Sequence, residues 1–236
     1  MFGAKVVIKR GSKDEAEKPF WISFSDLMTA MMVLFLVVMA VTMLSIPKKV
    51  LEAENGNRRH QQKIAQILDE LEEAAKRHEG VVVDRGRQAI NFGPRAQFDF
   101  GRWQLTPAKE AVLREFVPEI LKLANSEVGK TVLKRVVVEG YTDRKGTYLQ
   151  NLNLSLLRSQ RVMCALFSNS GDGVLTDGQK VDVRKLFFVG GYSFNAVKGS
   201  DEESRRVEMR LEFLGPGDRR EEPPAGEVEI GTCAIN

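Results

Sequence analysis

The chain of 236 residues has few of the side chains that build metal or redox centres: two cysteines and two histidines. Cys164 and Cys233 cannot make a disulfide scaffold or a cysteine-rich metal site, and allow at most one bridge. His60 and His78 stand apart on a charged helical stretch and read as solvated. An excess of either charge is missing too. Lys and Arg number 35 against 32 Asp and Glu, a net +3, with basic residues interspersed among acids. No basic stripe is left for a phosphate backbone, so nucleic acid is excluded as an expected partner. A phosphate-cradling loop is also absent. Gly129-Lys130-Thr131 has Ala124 where that loop needs a glycine five positions earlier, and its order is helix–loop–strand. Asp172-Gly173 and Asp177-Gly178 lack the alternating oxygen ligands of a calcium loop and read as turns. No enzyme activity, metal or cofactor is expected from this inventory.

One long apolar run is present. Between Phe20 and Ile46, 21 of 27 residues are hydrophobic and five of the eight methionines are found, while 66 of the 67 charged residues lie elsewhere. The mean hydropathy of −0.23 conceals this division. Roughly 20 apolar residues suffice to cross the ~30 Å hydrocarbon core as a helix. The run is too long for a signal-peptide core of roughly 7–15 residues and starts only after 19 residues, which makes it an uncleaved anchor. Lysines and arginines flank it evenly, so the charge rule for orientation gives a tie.

The one charge inside the run is Asp26. Six residues past Phe20, at 1.5 Å per residue, it sits roughly 9 Å into the apolar segment. An ionised carboxylate there is costly unless paired or hydrated, and acids within a membrane span mark functional sites by default. A carboxyl that takes up and releases a proton at the edge of an apolar barrier suits such a pathway. At helical spacing Asp26 shares a face with Ala30, Val33, Val37 and Ala40, small residues that let another helix approach. One helix with one acid encloses no channel, so partner helices are required. The competing reading makes Ser23, Ser25 and Asp26 an interfacial cap.

The organisation expected is a charged segment at 1–19, a transmembrane helix at 20–46, a linker with an amphipathic helix at 47–79, a folded domain at 80–214 and an irregular tail at 215–236. Pro47 should end or kink the span, and Asn55-Gly56-Asn57 is a weak helix breaker. Ile64, Ile67, Leu68, Leu71 and Ala75 form a narrow seam suited to pairing with a second copy or a partner helix. A hairpin is expected from Val81–Val83 and Gln88–Phe92, and a helix from Thr106-Pro107 on. Further on come a strand at 132–139, a helix at 147–168, a strand at 183–190 and a half-buried strand at 206–213, with Val207, Met209, Leu211 and Phe213 inward and Glu208, Arg210 and Glu212 outward. Strands interleaved with helices make the fold a two-layer α/β sandwich, a mixed sheet with helices on one face, behind one N-terminal transmembrane helix.

The run from Phe20 to Met32, Phe-Trp-Ile-Ser-Phe-Ser-Asp-Leu-Met-Thr-Ala-Met-Met, resembles the signature of MotB-type stator subunits. In that family the aspartate binds the transported proton or ion, and it maps onto Asp26. The resemblance implies a homodimer inside a ring of MotA-like partners. Glu17 to Ser23 and Leu27 to Met39 are similar to the stator-like subunits of Zorya anti-phage systems. That likeness implies a pentameric ZorA ring as partner, an inner-membrane location, a cytoplasmic N-terminus and a periplasmic domain. A flagellar stator subunit, or a passive wall tether that conducts nothing, are the alternatives.

About residues 80–214 resemble the OmpA-like peptidoglycan-binding domain. The likeness rests on Phe98-Asp99-Phe100-Gly101, Val138 to Asp143, Asn151 to Ser155 with Arg158, and Arg205-Arg206-Val207-Glu208. It implies that Asp143 and Arg158 grip the diaminopimelate of the wall's stem peptide, with Asn151, Leu154 and Arg206 as secondary contacts. The chemistry agrees: a zwitterionic amino-acid end needs a carboxylate for its ammonium and a guanidinium for its carboxylate. A structural Asp–Arg ion pair is the competing reading. The sequence departs from the family at Gln150, Ser159 and Ser204. In an oxidising periplasm Cys164 could pair with Cys233 or stay a buried thiol.

Overall fold

A computed structural model describes residues 3, 18–221 and 229–235. Most of the charged segment at 1–19 and the Pro223-Pro224 part of the tail lie outside the described residues. The chain divides into two compact units, Met1–Gly56 and Asn57–Asn236, and helix α1, Lys18–Ala75, contributes to both.

In the first unit every side chain from Trp21 to Ser45 is exposed, with Leu36 and Leu44 half or more open. α1 holds the one stretch among the described residues that is long and apolar enough to cross a bilayer. The helix does not stop at Pro47 or at Gly56. A proline removes one ladder hydrogen bond and a mid-helix glycine costs about 1 kcal/mol relative to alanine. The helix formers around them, Leu51-Glu52-Ala53-Glu54 among others, hold the ladder through both.

The second unit is a five-stranded sheet in the order β1-β2-β5-β3-β4. β1 (Val82–Asp84) and β2 (Ala89–Asn91) form the expected hairpin. β5 (Val207–Phe213) pairs antiparallel with β2 and with β3 (Leu133–Gly140), and β4 (Phe187–Gly191) lies parallel to β3. The sheet is therefore mixed, as expected. The Thr106 hydroxyl accepts from the Lys109 N–H and Pro107 opens α2 (Pro107–Asn125). α3 (Glu127–Val132), α4 (Tyr148–Phe167), α5 (Asp177–Leu186) and α6 (Asp201–Ser204) follow. The core gathers Leu113, Phe116, Val117, Ile120, Val136, Val138, Val162, Met209 and Leu211 between sheet and helices.

Several expectations are corrected. The α1 seam is not left for a partner: Ile64, Ile67, Leu68, Leu71, Ala74 and Ala75 are buried in the core of their own domain. His60 is not merely solvated, since its Nε2 lies 2.8 Å from the Leu214 carbonyl, and His78 sets its ring edge-on to Phe116. Residues 183–186 finish α5 rather than start a strand. Asp177 begins that helix, because Thr176 and Gln179 form a capping box ahead of it. Cys164 and Cys233 are disulfide-bonded, their Cα atoms 5.5 Å apart, which ties the tail to α4.

α4 can lie close on β3 because Gly140 has no Cβ. One built there would sit 1.9 Å from the Ser155 carbonyl oxygen. This contact brings the N-terminal half of α4 over the C-terminal end of β3, where the site residues gather.

Candidate functional site

Two places carry the sequence-derived candidates, one in each unit. In the first, Asp26, Thr29, Ala30, Val33, Leu34, Val37 and Val38 line a shallow groove along one face of α1. The Thr29 hydroxyl is turned onto its own helix, within 2.9 Å of the carbonyls of Ser25 and Asp26. The rest of the groove floor is aliphatic.

In the second unit β3 ends at Gly140, and the chain turns through Tyr141, Thr142 and Asp143 before α4. Gly146, at φ +97°, allows the sharp turn there. The Asn151 Nδ2 donates to the carbonyls of Lys145 (2.9 Å) and Thr147 (3.2 Å), clamping this loop to the first turn of α4. A cleft of about 230 Å³ results. Asp143, Arg158, Asn151 and Leu154 all line it, together with Phe100, Thr142, Lys145 and Arg205.

Asp143 and Arg158 share this cleft without pairing to each other. The Asp143 carboxylate accepts from Arg205 Nη1 at 3.0 Å and from the Lys145 N–H at 3.1 Å. Arg205 is fixed in turn by the Phe98 carbonyl and the Glu202 carboxylate. Arg158 is wholly buried, yet its guanidinium donates to main-chain carbonyls: Nε to Arg102, Nη1 to Tyr141 and Nη2 to Asp99, at 2.9, 2.7 and 3.2 Å. The Phe98 ring lies 5.0 Å away. Burial brings this guanidinium down to about 10, opposed in part by the charge of Asp143. Of its five N–H hydrogens these bonds use three. The cleft therefore offers a carboxylate and a desolvated guanidinium side by side, the donor set for an amino acid's ammonium and carboxylate.

Arg206 is elsewhere. It does not line the cleft but lies just ahead of β5, its guanidinium 4.3 Å from the centre of the Tyr141 ring, with Nε 2.7 Å from Glu208 Oε1. Glu208 is 1% exposed rather than outward-facing, and it stands opposite the equally buried Glu139 across the β3–β5 ladder. Two like charges are tolerated because each carboxylate is held twice. Glu139 takes Arg210 Nε and the Tyr141 hydroxyl, and Glu208 takes Arg206 and Arg87. The neighbour that reaches the cleft is Arg205, which sequence reasoning passed over. Strand alternation could have found it: Arg206 has the parity of Glu208 and Arg210, whereas Arg205 falls on the side of Val207 and Met209.

Family models match two stretches of the chain, one described as "Membrane MotB of proton-channel complex MotA/MotB" over residues 7–51 and the OmpA family over residues 97–205. Among solved structures, the OmpA-like domain of FopA1 from Francisella tularensis covers 57% of this chain and 82% of its own, at 18% identity and a TM-score of 0.37. The peptidoglycan-associated lipoprotein from Burkholderia pseudomallei covers 55% and 92%, at 18% identity and a TM-score of 0.33. Among curated proteins, the Zorya protein ZorB from Escherichia coli O139:H28 is 44% identical over 233 residues, 98% of this chain and 94% of that protein. At that identity along nearly its whole length, the chain belongs to the ZorB family of Zorya proteins.

Proposed function

We propose that this protein is the proton-conducting, wall-anchored stator subunit of an inner-membrane rotary complex serving anti-phage defence. The observation that carries the reading is Asp26, the one acid in an apolar span, lying on a groove of small and aliphatic side chains. Two copies place two such carboxyls inside a pentameric ring of MotA-like ZorA subunits. Each carboxyl takes a proton from one side of the membrane and yields it to the other as the ring turns. The small-residue groove lets a ring helix come within contact distance and shields the acid from lipid.

Rotation of the ring requires that the dimer stay still. The N-terminus is cytoplasmic and the α/β domain periplasmic, where the cleft holds the diaminopimelate end of a stem peptide, with Asp143 on its ammonium and Arg158 on its carboxylate. Asn151 keeps the loop in place and Leu154 supplies an apolar wall. A buried guanidinium bonded to carbonyls alone has no direct counter-ion, and a ligand carboxylate provides one.

Phage protection in cells tests both halves. Asp26→Asn keeps the shape and removes ionisation, and should abolish protection while insertion and assembly persist. Asp143→Ala with Arg158→Ala should release the protein from purified sacculi and also abolish protection. A passive tether predicts a silent Asp26→Asn, and undiminished protection in that variant would overturn the motor reading.

A further inference from the structure

We propose that Thr142 is a further ligand contact of the cleft, its hydroxyl donating to the same carboxylate that Arg158 receives. The inference rests on the amino-acid-binding reading of the cleft and names a contact that reading does not contain. Thr142 lines the cleft between Asp143 and the end of β3, and is 1% exposed. Its Oγ is buried and makes no hydrogen bond to any described atom. Its main chain is fixed, since the Thr142 N–H donates to the Ser193 carbonyl at 2.9 Å. Of the side chains lining the cleft it is the one, among the described residues, with a buried polar atom left unsatisfied.

A buried hydroxyl without a partner costs the folded protein stability, and threonine ordinarily avoids this by bonding a local carbonyl. Valine has nearly the same shape and carries no such cost, so the hydroxyl works against the unliganded fold. The neighbourhood gives it a use. The Tyr141 carbonyl, one residue before, accepts from Arg158 Nη1 at 2.7 Å, which puts the guanidinium beside Thr142. Asp143, one residue after, is already held by Arg205 and the Lys145 N–H. A carboxylate on the two unused Arg158 hydrogens would lie next to the Thr142 hydroxyl and would satisfy it. The Asp143 carboxylate, engaged by its own partners, stays for the ammonium.

The test uses the full-length protein in detergent with Thr142→Val and Thr142→Ser, reading thermal unfolding, affinity for free meso-diaminopimelate by calorimetry, and retention on purified sacculi. Thr142→Val should melt higher than the parent, because an unsatisfied hydroxyl is gone, and should bind meso-diaminopimelate about tenfold more weakly or worse. Thr142→Ser keeps the hydroxyl and should bind within about threefold of the parent. Parent-like binding by Thr142→Val would overturn the proposal. So would a lower melting temperature for Thr142→Val, which would mean that the hydroxyl is already partnered. A parent protein that binds neither probe would instead refute the wall-anchor reading itself.

Discussion

Replacing Arg206 with methionine separates a structural arginine from a ligand-binding one. Arg206 is 2% exposed and donates from Nε to Glu208 at 2.7 Å and from Nη1 to the carbonyls of Ala196 and Glu203 at 3.2 and 3.3 Å. Methionine fills much of the same volume but leaves Glu208 with Arg87 at 2.7 Å and Lys198 at 3.8 Å, whose side chains are about one-third exposed. Stripping one partner from a buried ion pair costs about 3–5 kcal/mol. Because Arg87 stays, the lower end applies, about 3 kcal/mol. For a unit of this size, Asn57–Asn236, each kcal/mol shifts the midpoint by about 2–4 °C, so melting should fall by about 6–12 °C. Circular dichroism of the full chain in detergent reads that shift, and sacculus retention below the transition should be unchanged. Adding Glu208→Gln should recover at least half of the loss, since the stranded charge is removed. An unchanged melting temperature together with lost retention would make Arg206 a wall contact and refute this assignment. A double variant no more stable than Arg206→Met would refute the electrostatic account of its cost.

Three more perturbations have defined outcomes. Burial raises the Tyr141 phenol above its ordinary value, and its hydrogen bond to Glu139 adds to the rise. Between the unfolded pKa near 10 and the raised folded value only the folded state keeps this proton, so its contribution is intact below pH ~10 and is lost as pH rises further, at about 1.4 kcal/mol per pH unit. Urea unfolding from pH 9 to 11.5 should show that fall, and Tyr141→Phe should flatten it. The Cys164–Cys233 bond closes a sequence separation of 69, so Cys233→Ser should cost about 2–4 kcal/mol in chemical denaturation; a loss under about 0.5 kcal/mol would show that the tail adds no constraint. Gly140→Ala drives a Cβ into the Ser155 carbonyl, and should lower the melting temperature and open the cleft, reducing sacculus retention; a variant that melts like the parent would refute the close approach of α4 to β3.

What the sequence made legible followed from local chemistry. Thr106-Pro107 marked the start of α2, the alternation of Val207, Met209 and Leu211 marked β5, and the charge-free run around Asp26 marked the membrane helix. The cleft residues Asp143, Arg158, Asn151 and Leu154 came from the family resemblance, and the fold brings them together. What was hidden depended on tertiary partners. The seam of α1 has the same period whether it meets a second copy or its own domain, so periodicity could not reveal that Ile67 and Leu71 are core residues. Glu208 reads as outward because charges usually are. Its burial depends on Arg206, just ahead of its strand, and on Arg87 beside β2. Val183-Arg184-Lys185-Leu186 runs without a breaker into the apolar Phe187-Phe188-Val189 of β4, so composition marks no boundary between them, but the capping box at Thr176 starts a helix that runs through Leu186.

The central claim is that the Asp26 carboxyl carries protons. The most direct measurement is proton flux into cells expressing this protein with its ring partner, followed by a cytoplasmic pH reporter after an external acid pulse. Parent complexes should acidify the cytoplasm. Asp26→Asn complexes, assembled to the same level by co-purification, should acidify it no faster than cells without the complex. Equal flux from the parent and from Asp26→Asn would contradict the account.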